Sequence, residues 1–217
     1  MQPLRELPMT PVHVDAPKTT GHIPVMPRPS LREQLLSAGV ETLHQRGFNA
    51  TSVQDITDAA GAPKGSFYNH FESKEALAAE AVRLYREKGR KRLTILQETK
   101  LSPLRRLRKY FESLNEAALK AGFAAGCLLG NFAAELSAQS PLVREQVAEA
   151  FARWCDAIAV VIGQAQKEGA ISRTLPPKAL AEFVVHAWEG AMVRAKVEKD
   201  RAPLDQFLKV TFAKVLS

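Results

Sequence analysis

Apolar residues recur at intervals of three and four from residue 31 almost to the C-terminus, and no stretch alternates with a period of two for long enough to make a strand. Leu31, Leu35, Ala38 and Leu43 predict a helix that opens at Ser30, a natural N-cap, and runs to about Arg46, where Gly47 stops it. Val53, Ile56 and Ala60 fall at i, i+3 and i+7 behind a second N-cap, Thr51; Gly61-Ala62-Pro63 ends that helix, and another follows from about Lys64 to Phe71. Ser73-Lys74-Glu75-Ala76 opens a long helix to about Leu96, with Leu77, Ala81, Leu84 and Tyr85 on one face. Ser102-Pro103, Ser140-Pro141, Pro176-Pro177 and Pro203 each open a further helix, the first three reaching about Lys120, Lys167 and Val197. A shorter one, from about Cys127 to Ser137, follows a break bracketed by Gly122 and Gly126. The fold class expected is all-α, with an N-terminal three-helix domain over residues 30–75 and a C-terminal helical domain over 76–217. Residues 1–29 hold seven of the thirteen prolines without apolar periodicity and predict a disordered arm, in which Arg28 could reach a minor groove or a phosphate.

Two short helices joined by a glycine-containing turn make a helix-turn-helix, whose second helix can enter the DNA major groove. The residues over 64–71 suit that use. Lys64, Ser66, Tyr68, Asn69 and His70 carry groups that donate to phosphates or base edges, while Phe67 and Phe71 are spaced to anchor the segment inward. Lys64, Gly65, Ser66 and Asn69 are expected at base edges, where the bare Gly65 lets the backbone come close. Thr51, Tyr68, His70 and Lys74 are expected on phosphates.

The run Thr51, Ile56, Ala59-Ala60-Gly61, Lys64-Gly65-Ser66-Phe67-Tyr68, His70-Phe71, Lys74 and Leu77 resembles the DNA-binding signature of TetR-type transcriptional repressors over roughly residues 30–80. The resemblance implies a double-stranded DNA operator as partner, a small-molecule effector and a homodimer. In the C-terminal two-thirds, Gly126-Cys127-Leu128, Trp188-Glu189-Gly190-Ala191 and Ala195-Lys196 resemble the NemR- and AcuR-like branch. That branch implies a response to reactive electrophiles, hypohalous oxidants or acrylate-type acids. In its NemR-like members the cysteine of the Gly-Cys-Leu motif works with a lysine at the position matching Lys196.

Charge adds to this picture without deciding it. The formal net charge of +7 favours a polyanionic partner. Eleven Lys or Arg lie between Arg83 and Lys109 against only Glu87 and Glu98, which suits either phosphate attraction or a solvated helix face. Two cysteines are too few for a disulfide framework, and no apolar run approaches a membrane span of roughly 20 residues. With no secretory pattern at the N-terminus, these point to a cytoplasmic protein without membrane association. The histidines are scattered, so no metal and no cofactor is expected.

The helix over 177–197 is apolar on more than one side. Leu180, Phe183, Val184, Ala187, Trp188, Ala191, Met192 and Ala195 form one stripe, with Val185, Val193 and Val197 outside it. Phe207, Leu208, Val210 and Phe212 widen the last helix in the same way. Pairing these two helices with their copies would bury both faces, and the operator is then a pseudopalindrome with half-sites about one helical turn apart or a multiple of it. For the input, Cys127 at a helix N-terminus is a candidate for a lowered thiol pKa and for reaction with electrophiles or oxidants, against the alternative of a buried, inert thiol. Alternatively, Cys127, Asn131, Trp188, Glu189 and Lys196 shape a pocket for a reversible ligand. A thiol-dependent enzyme built on Cys127 is the competing class, opposed by the absence of a nearby histidine in sequence and of any catalytic motif.

Overall fold

Most of the helices begin where the sequence supplies an acceptor or a proline for the first turn. The computed structural model describes residues 29–217, so all of the N-terminal arm except Pro29, Arg28 included, lies outside the described residues. Ser30 caps α1 (Leu31–Arg46) in a capping box with Glu33, and Ser52 caps α2 (Val53–Ala59) in a second box with Asp55. The cap therefore falls one residue later than expected. Thr51 turns inward instead: it is 1% exposed, and its hydroxyl donates to the Gly47 carbonyl at 2.7 Å.

Pro63 is extended, and Lys64–Asn69 winds as a tight 3₁₀ turn, shorter than the helix the periodicity predicted. Ser73 caps α3 (Lys74–Leu93), and a second 3₁₀ turn, Thr94–Gln97, takes the chain to the loop before α4 (Pro103–Lys120). The rest comprises α5 (Leu128–Leu136), α6 (Pro141–Lys167), α7 (Pro177–Glu198) and α8 (Ala202–Val210), with a π-type turn at Thr211–Val215. No strand occurs among the described residues, and none of their helices is long and apolar enough to cross a membrane.

Leu35, Leu43, Ile56, Phe67, Phe71 and Leu77 bury their side chains together and join α1, α2 and the 3₁₀ turn to the start of α3. At about 1.5–3 kcal/mol for each large apolar side chain removed from water, this small core holds the head together. Gly39 makes the α1–α3 approach possible, because a Cβ there would stand 2.6 Å from a Leu77 methyl. Farther along, Leu107 and Phe111 of α4, Ile158 and Ile162 of α6, and Ala181 and Val184 of α7 form the larger core, closed by Leu204 and Phe207 of α8. Arg106 is buried within it and ties two elements to α4, donating to the Leu96 carbonyl (2.9 Å) and to Gln164 Oε1 (2.7 Å). Helix α3 packs against both α1 and α6, so the two regions make one continuous core.

On α7 the buried face comprises Leu180, Ala181, Val184, Val185, Trp188, Met192 and Ala195. Val185 thus lies inside, and Phe183 lies outside with Val193 and Val197, which corrects the two assignments made from the pattern. The outward residues 183, 186, 190, 193 and 197 are spaced three and four apart along one side of the helix.

Candidate nucleic-acid interface and internal cavity

Phe67 and Phe71 fix the orientation of the reading turn. Both are buried, their rings 5.6 Å apart, so the residues between and before them must face out. Lys64, Gly65, Tyr68 and Asn69 are exposed, Tyr68 at 61%, and Ser66 and His70 are half-buried. Ser66 donates its hydroxyl to the Pro63 carbonyl at 2.6 Å, leaving its oxygen as an acceptor. Six of the eight residues expected to meet DNA are thus exposed or half-buried on this turn.

The other two hold the head together. Thr51 is buried and does not offer its side chain to a phosphate, because the hydroxyl is needed to close the α1–α2 turn. Lys74 donates to the carbonyls of Phe48 (2.9 Å) and Thr51 (2.7 Å) and lies 4.0 Å above the Phe48 ring, which leaves one ammonium N–H free. The sequence pattern gave no sign of this, since the turn that Lys74 clasps is more than twenty residues away.

Behind the head, α1, α3, α4, α6, α7 and the loop before α5 line a partly open cavity of about 690 Å³, within the range of small-molecule sites. The inner turns of α3 form one wall through Tyr85 and Leu93; Tyr110, Trp154, Trp188 and Met192 form others. Trp188 is oriented by its N–H bond to Asn115 Oδ1 at 2.9 Å. The loop wall contains Phe123, whose φ of 55° is unusual for a bulky residue. Lysines at the end of α7 hold that loop: Lys199, the residue after its last turn, reaches the Phe123 carbonyl at 3.3 Å and Lys196 the Ala125 carbonyl at 3.4 Å. Asn131 donates to the Ala125 carbonyl as well, at 2.8 Å, and His44 of α1 lies 2.9 Å from the Gly126 carbonyl.

Of the residues expected at the effector site, Cys127 and Trp188 line the cavity. Asn131 and Lys196 brace the loop from behind. Glu189 packs against Gly130, where a Cβ would stand 2.5 Å from its Oε2, and its Oε1 is buried without a partner. The surroundings of the Cys127 thiol oppose activation and suit the inert, buried alternative. Burial pushes the Cys127 thiol well above its usual value, and the neighbouring Glu189 carboxyl pushes it further in the same direction. The N–H groups of α5 oppose this only weakly, and Lys196 is occupied with the loop. Burial raises the pKa of Glu189 too. His44 comes to this region from 82 residues away, but the ring nitrogen it presents is used on the Gly126 carbonyl.

Sequence comparison agrees with the geometry. Residues 35–81 match the family model described as bacterial regulatory proteins, tetR family, and residues 103–211 match the tetracyclin repressor-like C-terminal domain. The chain belongs to the TetR family and is a DNA-binding transcriptional repressor. It is 40% identical over 192 residues to the HTH-type transcriptional repressor DhaR of Mycobacterium sp. strain GP1, covering 88% of this chain and 95% of that one. It is 33% identical to the transcriptional regulator AcuR of Cereibacter sphaeroides, over 92% of each chain. The crystal structure of the reduced form of Escherichia coli NemR superposes with a TM-score of 0.75 at 25% identity, covering 86% of this chain and 97% of that one.

Proposed function

We propose that two copies of this chain pair through α7 and α8 and present their Lys64–His70 turns to the half-sites of a pseudopalindromic operator, from which a small organic effector in the cavity releases them. The observation that carries this reading is the outward row of Lys64, Gly65, Tyr68 and Asn69 over the buried Phe67 and Phe71. Lys64, Gly65, Ser66 and Asn69 read base edges; Tyr68, His70 and the remaining Lys74 N–H hold phosphates and set the register. Residues 30–75 act as the reading head and 76–217 as the effector and dimerisation unit. Because α3 forms a cavity wall and also enters the head, an effector that fits one position of α3 better than another shifts the spacing of the two heads. Reversible binding is the mode favoured here, since a buried thiol beside a carboxyl is a poor nucleophile.

A gel-shift titration on the DNA flanking the protein's own gene tests both parts. Lys64→Ala is expected to reduce the preference for operator over scrambled duplex by about ten-fold. Equal binding of both duplexes by the unaltered protein rejects the operator reading. Effector release is expected to survive Cys127→Ser; loss of the response in that variant alone would instead establish covalent capture.

A further inference from the structure

The reading turn has little of its own to hold its shape. A 3₁₀ turn has poorer hydrogen-bond geometry than an α-helix, and Pro63 offers no side-chain cap at its start. Its last backbone bonds run from the N–H groups of His70 and Phe71 to the Phe67 carbonyl, both at 3.0 Å. The Phe71 ring therefore anchors the end of the turn that carries Tyr68, Asn69 and His70, and its position decides how those three are presented.

A side chain from α1 covers that ring. Arg32, in the first turn of α1, lies with its guanidinium carbon 4.9 Å from the Phe71 ring centre. Its Nη2 donates to both carboxylate oxygens of Glu80 on α3, at 2.6 and 2.8 Å. Glu80 thus fixes the guanidinium, the guanidinium covers Phe71, and Phe71 packs on Phe67 at 5.6 Å. Phe67 in turn meets Tyr68 edge-on at 5.3 Å.

The Arg32 and Glu80 side chains are 44% and 26% exposed, and an ion pair that wet contributes little to global stability. Nor does charge account for the acid. Glu80 neutralises a cation that would otherwise attract the phosphate backbone, so its presence lowers non-specific affinity for DNA. What the pair supplies is geometry, a planar group held over one ring by one carboxylate. We infer that Arg32 and Glu80 are positioning residues for operator reading: together they set Phe71, and through it the outward row of the Lys64–His70 turn, without touching DNA themselves. This rests on that turn being the element that reads the operator.

The test uses the full-length protein and the duplex that it selects from a random pool, in gel-shift titrations against a scrambled duplex over a range of salt. Arg32→Ala is expected to reduce the preference for the selected duplex about five- to ten-fold, while scrambled binding and its salt slope stay as in the parent. Glu80→Ala is expected to reduce the preference by about three-fold or more, although it removes a negative charge. The double variant is expected to lose no more than Arg32→Ala, since the two side chains act as one unit. Thermal melts are expected to place both single variants within a few degrees of the parent. Should Arg32→Ala melt well below it, Glu80→Ala carries the test through the sign of its effect. A Glu80→Ala protein that binds both duplexes more tightly, with a steeper salt slope, would make Arg32 a phosphate ligand and overturn the inference. So would an Arg32→Ala protein that binds both less tightly with a flatter slope, or an unchanged preference in either variant. Lys64→Ala separates this inference from the reading beneath it. If Lys64→Ala loses the preference while Arg32→Ala and Glu80→Ala keep it, the positioning role alone fails. If the parent selects no duplex, the reading turn fails and the positioning role with it.

Discussion

Two charged side chains, Lys74 and Glu189, are directed into the protein rather than outward. Lys74 satisfies the carbonyls of Phe48 and Thr51, which otherwise sit at the end of a tight turn with a side chain packed above them. Lys74→Met keeps the stem, orphans the Thr51 carbonyl and leaves the Phe48 carbonyl with the Thr51 N–H alone, so the expected loss is about 1–3 kcal/mol of unfolding free energy, read by urea denaturation. A variant as stable as the parent would show that the ammonium faces solvent or DNA. Glu189 poses the opposite case. Its raised pKa means that the fold disfavours the ionised form, so stability is fully present below the carboxyl's ordinary 4.5 and is lost as pH rises through the folded value. Glu189→Gln removes that penalty and is expected to raise the unfolding temperature at neutral pH, with the advantage disappearing in acid. The same change relieves the repulsion on Cys127. In a Cys155→Ser background, alkylation of Cys127 by iodoacetamide is therefore expected to accelerate roughly three- to ten-fold. An unchanged rate would mean that burial alone limits the thiol.

Among the elements, α5 joins the cavity to the head by a route separate from α3. Glu135 accepts the Asn49 N–H at 2.9 Å, and a Cβ on Gly47 would stand 2.6 Å from its Oε1; at the other end of the helix His44 meets the Gly126 carbonyl. Burial lowers the His44 pKa and the Lys196 charge lowers it further, against the hydrogen bond to Gly126. The sign follows: stability is full above the ordinary 6.5 and falls as the pH drops from there towards the folded value, because only the unfolded chain takes the proton. Between about pH 7.5 and 5.5 the parent is expected to lose stability relative to His44→Gln, measured by thermal melts at each pH. Parallel pH profiles would remove His44 as a buried neutral group. None of this joint was legible in the sequence, since His44 and Gly126, or Asn49 and Glu135, are more than eighty residues apart. What was legible is local. Serines and prolines at helix starts fixed α4 and α6 to the residue, because first-turn chemistry acts over three or four positions. Phe67 and Phe71 likewise fixed which side of the reading turn faces out. The cavity wall was half-visible: Trp188 stood out within an apolar stripe, whereas Tyr85, Tyr110 and Trp154 lie on three separate helices and only tertiary packing brings them together.

At the scale of the whole molecule, the outer side of α7 needs a cover that the described residues do not supply. Phe183, Val193 and Val197 are 54%, 59% and 78% exposed, on a row that also carries His186 and Gly190. Sequence patterning detected the excess of apolar residues but exchanged Phe183 and Val185, because on a helix apolar all round periodicity does not show which arc faces the chain's own core. A second copy placed across this row would bury it, and Gly190 in the middle would let the two helices approach closely. Gly190 also permits a clean test. Nothing among the described residues lies within 4 Å of a Cβ built there, so the first carbon of the Gly190→Leu side chain meets no neighbour within one protomer, and replacing glycine in a helix stabilises the monomer by about 0.5–1 kcal/mol. If α7 pairs with its copy, the same leucine wedges the two helices apart. The variant is then expected to sediment as a well-folded monomer at concentrations where the parent is dimeric. It is also expected to lose about a hundred-fold or more in operator affinity, since each head must then bind its half-site without the other. A Gly190→Leu protein that remains dimeric would move the interface off this row, and the exposed Val160 of α6 and Val210 of α8 would then be the apolar positions to probe.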